Sequence, residues 1–413
     1  MAESRPGPMP ISNNPVVGRG VVVVRFAVML KPPLRLDGAS IMRHLSVPSA
    51  QTQQWLERCR SEKWLAEHTG VSALEDGNKA IPLNDSAPQA GDESWMGNAL
   101  VALEAKGKAP SHWSEHLDRE LYEAHKDDWP KAYETQGDVL IVKIEDSIWP
   151  LAETVADAML TQLPSIRLVC ADLGVHGDFR VRDLHPLASR DGSVDTRTRI
   201  RENGYLLWVD ASKVYFSARL SNERIETLAT AKRLAARLNR GIVVADPYAG
   251  VGPSMGALLS EADLLTGYHT GDLNPDAFEL LSQNIAHLAS KRKTLDGSEP
   301  PVLDPATVTC SDATTWVDDE ALRGSSDMLL VNLPHDSIEH LPHVLPLLRG
   351  DQTAVLRGWA IVERTQEAES QQRIEAAIAQ AGHHIESMQF NEVKGFSASK
   401  SFVCFEAWLG RHD

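Results

Sequence analysis

Residues 242–284 read IVVADPYAGVGPSMGALLSEADLLTGYHTGDLNPDAFELLSQN, and this stretch decides the fold. Ile242, Val243, Val244 and Ala245 lead into Asp246 and then into a glycine-bearing turn from Ala249 to Pro253. That pattern predicts a buried parallel strand followed by a tight turn. Gly250 and Gly252 let the backbone approach a ligand with no Cβ in the way, and the next helix offers its free N–H groups. About twenty residues further on, Gly271-Asp272-Leu273-Asn274-Pro275 sets a carboxylate at the end of the expected second strand, where it can accept both hydroxyls of a ribose.

Dinucleotide-binding folds share this spacing, so the glycines must discriminate. Met255 stands where a third glycine would close helix against strand beneath a pyrophosphate, and Gly256 comes one residue late. A nucleoside without a diphosphate, S-adenosyl-L-methionine, therefore fits better than NAD. A glycine turn with no ligand weighs less, because turn and carboxylate occur together.

With 413 residues, the chain has room for two or three domains. The longest apolar runs are strand-like, and the one from Gly20 to Leu30 contains Arg25, so no membrane span is expected. No basic-then-apolar leader opens the sequence, and a cytoplasmic monomer is expected. Cys59, Cys170, Cys310 and Cys404 form no CxxC pair, which argues against zinc and disulfides. A net charge of −16 argues against simple wrapping of nucleic acid. Basic residues are nevertheless grouped: six arginines fall between Phe179 and Arg201, and seven Lys or Arg between Lys213 and Arg240. A local basic face on an acidic body is expected.

Composition predicts a disordered tail over 1–18, a small α+β domain over 19–84 with a first strand at Val21 to Leu30, and a linker and helical segment over 85–136. An α+β domain is predicted over 137–210. From 211 to 413 the alternation of strands and helices, closed by an antiparallel pair, suits a class I Rossmann-like α/β domain with the seven-stranded methyltransferase sheet. Its first helix, Asn222 to Leu238, should be capped by Ser221 or Asn222 and end near Gly241.

Three further motifs narrow the reading: HGDFRVRDL (His176 to Leu184), RENGYLLWVDASKVYFSARLSNER (Arg201 to Arg224) and NLPHDS (Asn332 to Ser337). With AGVGP and DLNP they resemble, in order, the archaeal and eukaryotic tRNA guanosine N1-methyltransferases of the Trm-five family, which modify the guanosine at tRNA position 37. The resemblance covers roughly residues 137 to 409, and more loosely the small unit before Asn84. Wybutosine-pathway aminocarboxypropyl transferases share the fold and cofactor, but Pro253 and Asn332-Leu333-Pro334 resemble the methyltransferases more. A non-catalytic RNA-binding protein on the same fold is the third alternative. Leu264 to Thr270 and Lys291 to Leu303 read as insertions against the family pattern.

Guanine N1 carries a proton at neutral pH, so methylation there needs a base and a cation to hold charge developing on O6. The resemblance implies Glu223 as general base, against the plainer reading of a carboxylate at a helix start. For the cation, Arg180 and Arg182 would share one side of a strand, and the resemblance favours Arg180. Asn332 can offer donor and acceptor to a purine edge, with Pro334 stiffening its loop. Arg219, Asp246, Gly250, Gly252, Asp272, Leu273, Asp312 and Asn332 are expected around the cofactor, with Asp272 on the ribose and Asp312 by the adenine. Tyr215 is expected to line the same cleft, and the implied partner is the anticodon region of tRNA. His185 and His335 show no metal-ligand spacing.

Overall fold

The computed structural model describes residues 35–36, 39–66, 69–107, 110–177, 179–294 and 297–410. The expected tail and the expected strand Val21 to Leu30 lie outside them. The chain divides into two compact units at Ser111/His112.

In the first unit, strands β1 (Arg35–Leu36), β2 (Ala39–Val47), β3 (Ser72–Ala73), β4 (Lys79–Pro82) and β5 (Leu100–Glu104) form an antiparallel sheet around β2. Helix α1 (Thr52–Ser61) turns Trp55 and Cys59, four residues apart, into a small core with Leu45, Val47 and Ile81. The linker expected after residue 84 is instead part of this unit. Trp95 is buried in the same core, its indole donates to the Gln89 carbonyl at 3.0 Å, and β5 pairs with β2. The Pro, Asn, Asp and Gly residues mark turns laid over the core, not an open connection.

The second unit begins with α2 (Arg119–Ala124) and a four-stranded sheet in the order β6 (Tyr133–Gln136), β7 (Val139–Val142), β8 (Leu168–His176), β9 (Val181–Ser189). Parallel β7 and β8 are joined through α3 (Ala152–Gln162), whose Val155, Ala156 and Met159 pack with Trp113 and Trp129. A hairpin of β10 (Arg197–Glu202) and β11 (Tyr205–Asp210) follows. Its two-residue turn is Asn203-Gly204 with φ of 45° and 93°, both positive as a type I′ turn requires.

Beyond it come α4 (Ser221–Leu238), β12 (Ile242–Asp246), α5 (Pro253–Leu259), β13 (Leu265–Asp272), α6 (Pro275–Ala289), β14 (Ala306–Cys310), β15 (Met328–Val331), α7 (Ser337–Val344), β16 (Ala354–Glu363), α8 (Glu367–Gln380), β17 (His384–Gly395) and β18 (Lys400–Gly410). The strands make the expected seven-stranded α/β sheet, ordered β14-β13-β12-β15-β16-β18-β17, with β18 antiparallel to both neighbours. After β14 the chain returns to the other side of β12. The carboxyl ends of β12 and β15 therefore flank the topological switch point, where such sheets leave a crevice.

Two local expectations are corrected. Leu264 to Thr270 is not an insertion but most of β13, an interior strand between β12 and β14. Its apolar signal is interrupted because Gly267 faces Pro305 closely and His269 pairs with the Thr307 hydroxyl at 2.8 Å. Helix α4 starts from Leu220 with no side-chain cap, so neither Ser221 nor Asn222 caps it, and it ends near Gly241 as expected, closing on Asn239 in the left-handed conformation (φ 52°).

Gly271 couples sheet packing to the crevice. A Cβ there would lie 2.6 Å from the Thr309 carbonyl of the neighbouring strand, backbone that cannot yield without opening the β13–β14 ladder. Gly271→Ala should lower stability by about 1–3 kcal/mol, read as a shifted denaturant midpoint with unchanged slope.

Candidate active site

The turn after β12 is held open to the crevice by Asp272. The Asp272 carboxylate accepts the Gly250 N–H at 2.8 Å through Oδ2 and the Asn274 N–H at 2.9 Å through Oδ1. Gly250 (φ 55°) and Gly252 (φ 83°) are both left-handed, and Gly252 starts α5 with Pro253 in its first turn. A Cβ on Gly252 would meet Leu281 of α6 at 2.7 Å, so this glycine serves helix packing. At Gly250 the nearest atom is the Tyr215 carbonyl, 3.9 Å away, which brings the exposed Tyr215 segment beside the turn.

Asp246 is buried at the carboxyl end of β12. Burial, and secondarily the Asp272 charge, raise its carboxyl to about 7. Asp272 is also raised, by burial, against the backbone N–H groups that favour its ionised form. Two carboxylates at one sheet edge suit a cationic ligand carrying a ribose. Leu273 is exposed next to them. Asp312 lies beyond β14, where Oδ1 accepts the Thr314 N–H and hydroxyl at 2.9 and 2.8 Å, so it caps a turn and keeps its second oxygen clear of those bonds.

Glu223, in the first turn of α4, is part-buried. Its Oε2 accepts from Trp359 Nε1 at 2.9 Å and from Arg357 Nη2 at 3.1 Å, both on β16. The Asn332-Leu333-Pro334 turn leaves β15 beside the same stretch: Val331 registers with Gly358, and the Ile361 N–H donates to the Pro334 carbonyl at 2.7 Å. Ser337 secures the turn, its hydroxyl bonding the Leu333 and Trp359 carbonyls at 2.7 and 2.6 Å. Glu223 and Asn332 thus converge along β16.

Arg180 and Arg182 do not share a strand. Arg182 lies in β9 and is held by Glu134 at 2.8 Å and Asp172 at 3.8 Å. Arg180 sits in the preceding turn with φ 51°, a left-handed backbone uncommon for a side chain of this size. It is exposed, and its charge acts on His335, immediately after Pro334: burial first, then Arg180, pull that imidazole below its usual range.

The expected local basic face can draw on only a few cations. Most cations of the two basic stretches are already engaged, as in Arg197–Glu279, Lys213–Asp276, Arg224–Glu202, Lys232–Glu261, Arg233–Glu406, Arg237–Glu386 and Arg240–Asp327, while Arg190 bonds backbone carbonyls. Arg180, Arg199, Arg201 and Arg219 make no ion pair with a described carboxylate. Arg199 and Arg201 border a cavity of about 460 Å³ whose other walls include Gln136, Asn203, Phe216 and Ser221. His185 packs against Trp149 and His335 against Phe396, and no metal-holding cluster occurs among the described residues. Nor is any described helix long and apolar enough to cross a membrane.

Arg357, Trp359 and Glu406 escaped the sequence reading. The signal was a charge inside an otherwise apolar strand, as in AVLRGWAIV and SFVCFEAWL.

The raised Asp246 carboxyl has a stability consequence. With a folded value near 7 against 3.8 for the free group, the contribution is full below about pH 4 and lost as pH rises through 7. Asp246→Asn, which cannot ionise, should gain on the parent between pH 5 and pH 8 by on the order of 1–3 kcal/mol, measured by denaturant unfolding. An equal difference at both pH values would mean that Asp246 does not titrate there.

Residues 113–193 match the family model described as the TYW2 N-terminal domain, and residues 198–298 match the TRM5/TYW2 methyltransferase domain. The chain is 36% identical over 155 residues to the tRNA (guanine(37)-N(1))-methyltransferase Trm5b of Methanocaldococcus jannaschii, covering 37% of this chain and 42% of that protein. It is 28% identical over 217 residues to Trm5b of Pyrococcus abyssi, covering 52% of this chain and 56% of that one. The matched regions thus span only about half the length of these relatives. In fold, the crystal structure of Pyrococcus abyssi Trm5b superposes with a TM-score of 0.62 at 20% identity, covering 89% of this chain and 99% of that one. Pyrococcus horikoshii TYW2 in complex with MeSAdo gives 0.56 at 20% identity, covering 72% and 97%. The match to the TRM5/TYW2 methyltransferase domain over residues 198–298 takes in the hairpin, α4, the glycine turn and Asp272.

Proposed function

We propose that this chain is an S-adenosyl-L-methionine-dependent methyltransferase acting on N1 of guanosine at tRNA position 37. The observation that carries the proposal is the placement of Glu223 and the Asn332–Pro334 turn along β16, in a sheet whose β12 and β13 ends carry the Asp272–Gly250 turn. The two relatives described above are named for this reaction, and a further neighbour in fold, with a TM-score of 0.61 at 21% identity, is a complex of aTrm5 with tRNALeu.

The donor set fits the cofactor: Asp272 keeps lone pairs beyond those used by Gly250 and Asn274, and Asp246 can become a carboxylate facing a cation. The bound cofactor supplies an electrophilic methyl on a sulfonium. Asn332 holds the guanine edge, Glu223 takes the N1 proton, and Arg180 stabilises the negative charge that collects on O6. Arg219 borders the cofactor side, while Arg199 and Arg201 give the RNA backbone local positive charge despite the net −16.

One observation favours a second reading. The match of residues 113–193 to the TYW2 N-terminal domain supports aminocarboxypropyl transfer from the same cofactor. Unmodified tRNA offered with cofactor labelled in either the methyl or the aminocarboxypropyl group separates the two. Methyl label at guanosine 37 is expected. Aminocarboxypropyl label would establish the second reading, and tRNA binding with neither label would point to a non-catalytic RNA-binding protein.

Asp272→Ala removes the carboxylate from both the turn and the ribose, so S-adenosyl-L-methionine affinity should fall by about 1.5–3 kcal/mol in calorimetry. The arginines should separate by kind of loss. Arg180→Ala should lower turnover by roughly 10²–10³-fold with cofactor affinity kept, whereas Arg182→Ala should chiefly cost stability, because Arg182 is committed to Glu134 and Asp172. Equal kinetic losses in single-turnover assays would overturn that division.

A further inference from the structure

Charged residues are rare inside interior strands, yet β16 and β18, toward one edge of the sheet, carry a polar strip. Arg357 and Trp359 are two residues apart on β16 and share a face. Opposite them on β18 stand Glu406 and Cys404, in the register Arg357↔Glu406 and Trp359↔Cys404. Helix α4 covers the strip with Glu223, Thr227 and Thr230 at helical spacing. Arg357 uses three nitrogens: Nη2 reaches Glu223 at 3.1 Å, Nε reaches the Thr227 hydroxyl at 3.2 Å, and Nη1 reaches Glu406 Oε2 at 2.5 Å. Glu406 also accepts from Thr230 at 2.7 Å, Arg233 at 3.0 Å and Trp408 at 3.0 Å.

We propose that Arg357, Trp359 and Glu406 are positioning residues for Glu223: Arg357 and Trp359 fix its Oε2 so that Oε1 is presented to the substrate proton, and Glu406 shares the Arg357 charge so that Glu223 remains an effective base. The proposal rests on the reading of Glu223 as the base.

Both donors meet the same oxygen, so the carboxylate is oriented through one atom, and the Cys404 thiol, a weak donor, is a further hydrogen-bond partner of Glu223. Alone, a buried guanidinium would favour the ionised carboxylate strongly and weaken it as a base. Here the shorter contact goes to Glu406, and Glu223 takes the longer one. Burial pushes the Glu406 carboxyl up, but Thr230, Trp408 and Arg357 together bring it below its ordinary value, so it stays charged and keeps its share of the guanidinium. The groups facing Glu223 are Arg357 and Trp359 from β16 and Cys404 and Glu406 from β18. The Cys404 thiol, pushed up to about 12 by burial first and by the two glutamates after it, stays neutral. On α4 itself, Arg224 turns away to Glu202.

The two obvious variants must act in opposite directions. Glu406→Gln keeps shape but leaves the Arg357 charge to Glu223, so the acid limb of the single-turnover pH–rate profile should move down by about 0.5–1 pH unit. The plateau rate should fall roughly 3–30-fold, because a weaker base transfers the proton less readily. Trp359→Phe removes a donor from Oε2 and should move the same limb up by about 0.5 unit, with cofactor affinity unchanged in both variants. Loss of activity in both with the limb unmoved, or movement of both in one direction, would overturn the positioning role. If Glu406→Gln does not fold, Trp359→Phe alone decides by the presence or absence of its upward shift. Glu223→Gln is the control: it should abolish the limb, and a retained limb would sink the base assignment itself, an outcome distinct from failure of the network.

Discussion

The rotation of α4 about its own axis is the constraint on which the site depends. Two neighbouring residues pull it in opposite directions. Arg224 is locked to Glu202 by a bidentate pair at 2.6 and 2.5 Å, within the buried side of the β10–β11 hairpin, and Tyr205 adds its hydroxyl to the same carboxylate at 2.8 Å. Glu223, one residue earlier and about 100° around the helix, is locked to Arg357 and Trp359 on the sheet. Rotating the helix either way breaks one clamp. Buried ion pairs return little net stability once desolvation is counted, but they penalise alternative registers severely, because a slipped helix would strand an unpaired charge. The RENG hairpin thus acts on the candidate base from the far side of the helix, without contact with it.

The sheet was readable because its interior strands advertise themselves. Ile242 to Ala245 and Met328 to Val331 are short, apolar and followed by turns, as strands covered on both faces must be. β13 was less legible for a physical reason: its Gly267, His269 and Thr270 are buried by close backbone approach and side-chain hydrogen bonds, which an apolar pattern does not report. The same holds for the segment after Asn84. Turn residues were recognised correctly as turns, but whether turns lie over a core or span a gap depends on Trp95 and Leu100, whose partners are distant in sequence.

Site residues divided along similar lines. Asp272 and the glycines were legible because local spacing alone builds that turn, and the structure joins them by a direct bond. Arg180 and Arg182 were not separable from sequence. Strand alternation puts them on one side, whereas Arg180 lies in the turn before β9 with a positive φ and Arg182 stays with Glu134. The basic stretches misled in a related way, since a count of arginines ignores the carboxylates that the fold brings to them. Arg357 and Glu406 went unread because a charge in an apolar strand has no meaning until its partners on another strand and on a helix are known.

Once most cations of the two basic stretches are engaged by the fold, the electrostatics of that region change character. A net charge of −16 repels a polyanion at distance, and screening confines that repulsion to roughly 8 Å at physiological salt. Of the cations of the two basic stretches that pair with no described carboxylate, Arg199 and Arg201 lie on the β10–β11 hairpin, Arg219 lies just ahead of α4, and the Arg180 charge acts on His335 after the NLP loop. Under the proposed reading, attraction is gained only where an RNA loop can bring its backbone to these few side chains, and a duplex lying elsewhere on the surface gains nothing to offset the acid. Under that reading an acidic body discriminates by geometry: it gives up the fast, indiscriminate capture of a basic protein, and the unpaired arginines of the hairpin and of the segment before α4 act where a single nucleotide is presented.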